Sequence, residues 1–65
     1  MEVKQLLKKL RIRKEVFQDG CIYYFVGQEN SLRNIETKLE NCSEVKKING
    51  EFFTDGFGRL CFELN

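Results

Sequence analysis

Val3, Leu6, Leu7 and Leu10 stand at i, i+3, i+4 and i+7, the spacing that gathers apolar side chains on one stripe of an α-helix. The pattern predicts a helix near residues 2–10, with Lys4, Lys8 and Arg11 displayed on the side away from the stripe. The period changes near Arg11. Residues 12–17 read as a strand that turns at Asp19-Gly20 into a second strand over 21–26, because Gly accepts the positive φ a tight turn needs. With a two-residue turn, Phe17 faces Ile22 and Val16 faces Tyr23, the two pairs lying on opposite sides of the hairpin.

Helical spacing returns at Leu32, Ile35, Leu39 and Cys42, predicting a second helix near 31–41 with Asn30 or Ser31 as its cap. Beyond it, 45–48 is followed by Asn49-Gly50 and then by 51–54, so residues 44–54 read either as one strand bent by a bulge at Gly50 or as two short strands. The single bent strand is preferred, since four strands and two helices close a compact domain. Leu60, Phe62 and Leu64 then alternate with Arg59, Cys61 and Glu63, the period of a half-buried strand. Phe-x-Asp-Gly occurs twice, at 17–20 and 53–56, each time between apolar runs.

The order is therefore α-β-β-α-β-β. It predicts an α+β two-layer sandwich, two helices on one face of an antiparallel sheet, the order a ferredoxin-like split β-α-β fold would show with its last helix and strand placed first. The expected core is Leu6, Leu7, Leu10, Leu32, Ile35, Leu39, Leu60 and Phe62.

Sixty-five residues make one small domain (1–65), and 42% hydrophobic content with six Phe and two Tyr marks a folding chain. So short a chain balances burial against ordering entropy narrowly, which makes a covering partner or a second copy a reasonable expectation. The longest apolar run, 21–26, is six residues, and Lys4, Lys8 and Lys9 interrupt the N-terminal segment. Neither a membrane span nor a secretory leader is expected, the chain reads as complete from Met1, and a cytoplasmic location follows. Cys21, Cys42 and Cys61 are widely spaced and the chain has no His, so reduced thiols are expected, with no metal site and no cofactor.

Charge changes the picture more than composition does. Residues 1–14 hold six basic side chains (Lys4, Lys8, Lys9, Arg11, Arg13, Lys14) against Glu2, a balance of +5, while residues 15–65 hold five basic and nine acidic, a balance of −4. A basic patch on a mildly acidic body serves solubility, a phosphate backbone or an acidic protein surface.

No residue pattern suggests catalysis. Without His, acid–base work would need a carboxylate, lysine or cysteine far from its usual pKa, and no base partner for a cysteine nucleophile is suggested. The stretch Asp55-Gly56-Phe57-Gly58-Arg59-Leu60-Cys61-Phe62 resembles the longer signature of the RNA recognition motif, and Ile22-Tyr23-Tyr24-Phe25 is loosely similar to the shorter one. The resemblance implies Tyr23 and Phe57 as base-stacking residues, with Phe25 or Arg59 beside them. The chain departs from the motif at Asp55, where a basic residue belongs, and at Arg59, where a second aromatic belongs. The other reading of the same residues is a hairpin end with core aromatics.

The sequence reads best as a non-catalytic binding module that occupies a partner protein's surface. In size and style it resembles inhibitors of host enzymes or defence systems encoded by phages and mobile elements. The expected contact surface is a sheet face centred on Tyr23, Phe25 and Arg59 with Phe57 beside them. The alternative is nucleic-acid binding through the basic N-terminal helix or the aromatic sheet face, and a homodimer is a further expectation.

Overall fold

The computed structural model describes residues 2–65. Its elements run α1 (Val3–Lys9), β1 (Phe17–Asp19), β2 (Ile22–Gln28), α2 (Glu29–Glu40), β3 (Val45–Phe52) and β4 (Phe57–Leu64). The four strands form one antiparallel sheet in the order β1-β2-β4-β3. β2 and β3 both run antiparallel to the β4 strand between them, so β2-α2-β3 is a split β-α-β unit. Moving α1 and β1 behind β4 would restore the ferredoxin-like order, and the expected permuted arrangement is the one observed.

Leu7 from α1 and Leu32, Ile35 and Leu39 from α2 join Phe25, Leu60 and Phe62 of the sheet in one apolar cluster. Both helices therefore cover the same face. Phe62 stacks on Tyr23 on one side and on Phe25 on the other, with centroids 5.6 and 5.8 Å apart. Of the expected core, seven residues are buried and Leu10 is half-buried; Phe25 and Ile12 are core residues the spacing did not reveal.

Ile12 is buried because of how α1 ends. Arg11 adopts φ +60°, its N–H donates to the Lys8 carbonyl, and the Ile12 N–H donates to the Leu7 carbonyl at 2.8 Å. These bonds define a Schellman cap, whose usual companion is an apolar contact between the residues that Ile12 and Leu7 represent. The cap turns the chain sharply and pins Ile12 in the core. Residues 12–16 must then travel from the helix end to the sheet edge, so the strand expected over 12–17 shrinks to the three residues of β1.

Three further local expectations are corrected. The first turn is Gly20-Cys21, with Asp19 opposite Ile22 and Phe17 opposite Tyr24. Gly20 at φ +63° takes the first central position, the place glycine holds in a type II′ turn. α2 begins at Glu29, straight from β2, with no side-chain cap. The Gly56 carbonyl accepts the Glu29 N–H at 2.9 Å and does the work expected of Asn30 or Ser31. β3 is one bent strand as preferred, but its register shifts between Lys46 and Asn49, where Lys47 has φ +53°, and not at Gly50.

The second Phe-x-Asp-Gly makes a different turn. Gly56 donates to the Phe53 carbonyl and has φ +89°, Phe53 donates to Phe57, and the Asp55 carboxylate accepts the Phe57 N–H at 3.0 Å. This is a three-residue hairpin loop closed by glycine in the left-handed region. No helix among the described residues is long and apolar enough to cross a membrane.

Candidate functional site: an open sheet face and a basic groove

The β2–β4 register decides what the uncovered face carries. Val26 lies opposite Arg59, Tyr24 opposite Cys61 and Gln28 opposite Phe57. Side chains alternate across a strand, so Ile22, Tyr24, Val26, Phe57, Arg59 and Cys61 share the face away from the helices. Phe17 joins them from β1, its ring stacked on Tyr24 at 5.4 Å. Phe53 lies opposite Phe57 at the hairpin end.

This corrects the expected surface. Arg59 and Phe57 are on the open face, but Phe25 is fully buried and Tyr23 is half-buried against Phe62. Tyr23 and Phe25 lie on the opposite side of the sheet from Arg59. The stacking pair implied by the RNA recognition motif is likewise split, Phe57 outward and Tyr23 inward. Tyr24 stands where Tyr23 was expected. β2 is apolar on both faces, so its alternation could not say which side faces the core; only pairing with the unambiguous β4 settles it.

Five large apolar residues are conspicuously exposed: Phe17 41%, Ile22 43%, Val26 49%, Phe53 53% and Phe57 47%. The face is nearly charge-compensated. The Arg59 guanidinium lies 3.8 Å from the Glu51 carboxylate and 5.9 Å from the Tyr24 ring centre, and Lys47 reaches Glu63 at 3.7 Å. Arg59 stands on β4 between Phe57 and Cys61, directly across from Val26.

The second candidate lies at the other side of the molecule. A groove of about 800 Å³ runs between α1 and the segment that follows it, lined by Lys4, Lys8, Arg11, Arg13 and Lys14 over Leu7, Ile12 and Val16, with Glu15 its only acidic residue. The Lys14 ammonium folds over Gly27, in the space a Cβ there would take. Of the basic patch expected from sequence, Lys9 alone departs: its ammonium bonds to Glu44 at 3.1 Å. A smaller hollow on the far side of residues 11–14 adds Lys38, which donates to the Arg11 carbonyl at 3.4 Å.

Cys21 sits exposed in the first turn, Cys42 follows α2 and Cys61 is on the open face, all three as free thiols. No cluster of three or more potential metal ligands occurs among the described residues. No known protein family, curated protein or solved structure matches the chain.

Proposed function

We propose that the protein is a non-catalytic binding module whose working surface is the open sheet face, acting by occupying the surface of a partner protein in the manner of phage- and mobile-element-type inhibitors. One observation carries this reading. Four of the five conspicuously exposed large apolar side chains, Phe17, Ile22, Val26 and Phe57, lie on that single face beside Tyr24, and the fifth, Phe53, adjoins it. Scattered exposed apolar residues are ordinary, but a contiguous set rimmed by polar groups marks an interaction surface.

The chemistry of the face favours protein over nucleic acid. A base-stacking platform works beside unpaired cations that hold the phosphates. Here Arg59 and Lys47 are each held by a carboxylate, Glu51 and Glu63, and among the described residues Lys46 alone of this face's cations stands outside an ion pair. Paired charges around an apolar centre suit a protein interface, with Tyr24 and Arg59 as the residue types that most often dominate its energy.

The test is capture from lysate of the native host with tagged protein, with and without nuclease, followed by affinity measurements on the recovered protein. Recovery of a partner whose binding survives nuclease and falls when Tyr24 or Phe57 is replaced by Ala supports the reading. A partner bound equally well by those variants would refute it.

A further inference from the structure

Ten of the eleven cations of this molecule fall into two populations, with Lys46 on β3 in neither. Lys9, Arg33, Lys47 and Arg59 are each within ion-pair distance of a carboxylate. Among the described residues, the ion pairs include none of the cations that line the groove beside α1 or the hollow behind it. The acidic residues of the body are abundant enough to have compensated these charges, yet the fold spends them elsewhere: Glu44 on Lys9, Glu29 and Glu36 on Arg33. Like charges gathered in a concavity repel one another, and a bound polyanion relieves that repulsion.

The placement is as specific as the charge. Lys4, Lys8 and Arg11 follow one another along α1 and its cap, with an axial step of about 6 Å between the first two, comparable to one extended nucleotide. The positive φ at Arg11 then turns the chain, and Arg13 beyond the turn lines the same groove. Leu7, Ile12 and Val16 line the groove as well; Leu7 and Ile12 are buried, and the half-buried Val16 offers apolar surface on which a sugar can rest. The whole domain measures 34 × 23 × 18 Å, and a groove cut into so small a body accepts one strand, whereas a duplex is about as wide as the domain itself.

We infer that the groove between α1 and residues 11–16 binds the phosphate backbone of a single nucleic-acid strand, through Lys4, Lys8, Arg11 and Arg13. The site is separate from the open sheet face and stands or falls independently of it. An acidic peptide is the competing occupant, distinguished by the test.

The probe is a fluorescein-labelled thymidine oligonucleotide of about twelve residues, read by anisotropy across a salt series. Four phosphate contacts give a slope of log affinity on log salt near −3, so binding should weaken by about 50-fold between about 50 and 200 mM salt. Replacing Lys4, Lys8 and Arg13 by Gln should bring the slope to about −0.7, while Tyr24→Ala and Phe57→Ala leave it unchanged. Should that triple variant melt below the assay temperature, Lys8→Gln and Arg13→Gln singly should each reduce the slope by about 0.7. A duplex of equal length should bind at least about tenfold more weakly. Absence of binding at the lowest salt, an unchanged slope in the groove variants, tighter binding of the duplex, or stronger binding of labelled oligoglutamate would each overturn the inference.

Discussion

The two faces of this sheet are built from the same strands, residue by residue in alternation, and they have opposite fates. On one, Phe25, Leu60 and Phe62 disappear beneath two helices; on the other, Tyr24, Val26, Phe57 and Arg59 stay in contact with water. A domain of this size needs its first face covered in order to fold, since that burial supplies nearly all of its hydrophobic stabilisation. The second face contributes little to that balance, and yet it retains aromatic and branched side chains where polar ones would serve solubility better. The difference separates residues kept for folding from residues left available for another molecule.

The largest effects should come from the covered face. Leu39→Ala removes a fully buried side chain in the last turn of α2 and should cost about 2–5 kcal/mol, read by chemical denaturation. A loss below about 1 kcal/mol would mean the core is not where the packing places it.

Glycine positions give the next largest effect and sharpen the contrast within one strand pair. Gly27 and Gly58 lie opposite each other at the end of the covered face. A Cβ on Gly58 would stand 2.5 Å from the Glu51 carbonyl oxygen and 2.6 Å from the Phe52 ring, so Gly58→Ala should cost about 1–3 kcal/mol by forcing backbone apart. At Gly27 the obstructing group is only the flexible end of Lys14, and Gly27→Ala should stay within about 0.5 kcal/mol of the native protein. Equal losses at the two positions would contradict the packing described for that end of the sheet.

On the open face the order of effects reverses between stability and binding. Tyr24→Ala and Phe57→Ala should each weaken partner binding by about 1–3 kcal/mol while changing unfolding free energy by under about 1 kcal/mol. Comparable losses in both quantities would make the face structural.

One modest effect is expected to be a gain. Arg11 holds the left-handed position that glycine fills at most helix ends of this kind, so Arg11→Gly should stabilise the fold by about 0.5–1 kcal/mol. A destabilised variant would show that the Arg11 side chain supports the cap in some other way.

How far the sequence carries the structure follows from where its patterns are one-sided. Leu60, Phe62 and Leu64 alternate with polar neighbours, and Leu32, Ile35 and Leu39 keep helical spacing, so β4 and α2 were legible, as were the element order and the permuted topology. β2 is apolar on both sides from Ile22 to Val26, and nothing in that run distinguishes Phe25 from Tyr24. The pairing Val26–Arg59 that separates them is a long-range fact. The cap at Arg11 is hidden for a different reason: it uses a residue that seldom adopts the conformation, and its consequence is the irregular path of residues 12–16, which read as a strand where the helical period breaks. The basic patch was visible by count, but the bond that removes Lys9 from it spans 35 positions of sequence. The turn dipeptides were legible as turns, although Asp19-Gly20 and Asp55-Gly56 close loops of different length.

The central claim is that the uncovered face, and not the covered one or α1, is where a protein partner sits. Its most direct test is a backbone amide NMR titration of the isotope-labelled protein with the partner recovered from nuclease-treated lysate. The account predicts that the amides of Ile22, Tyr24, Val26, Phe57 and Arg59 shift or broaden at the lowest partner ratios, with those of residues 4–14 changing little. Perturbations concentrated in residues 4–14, with β2 and β4 silent, would contradict it.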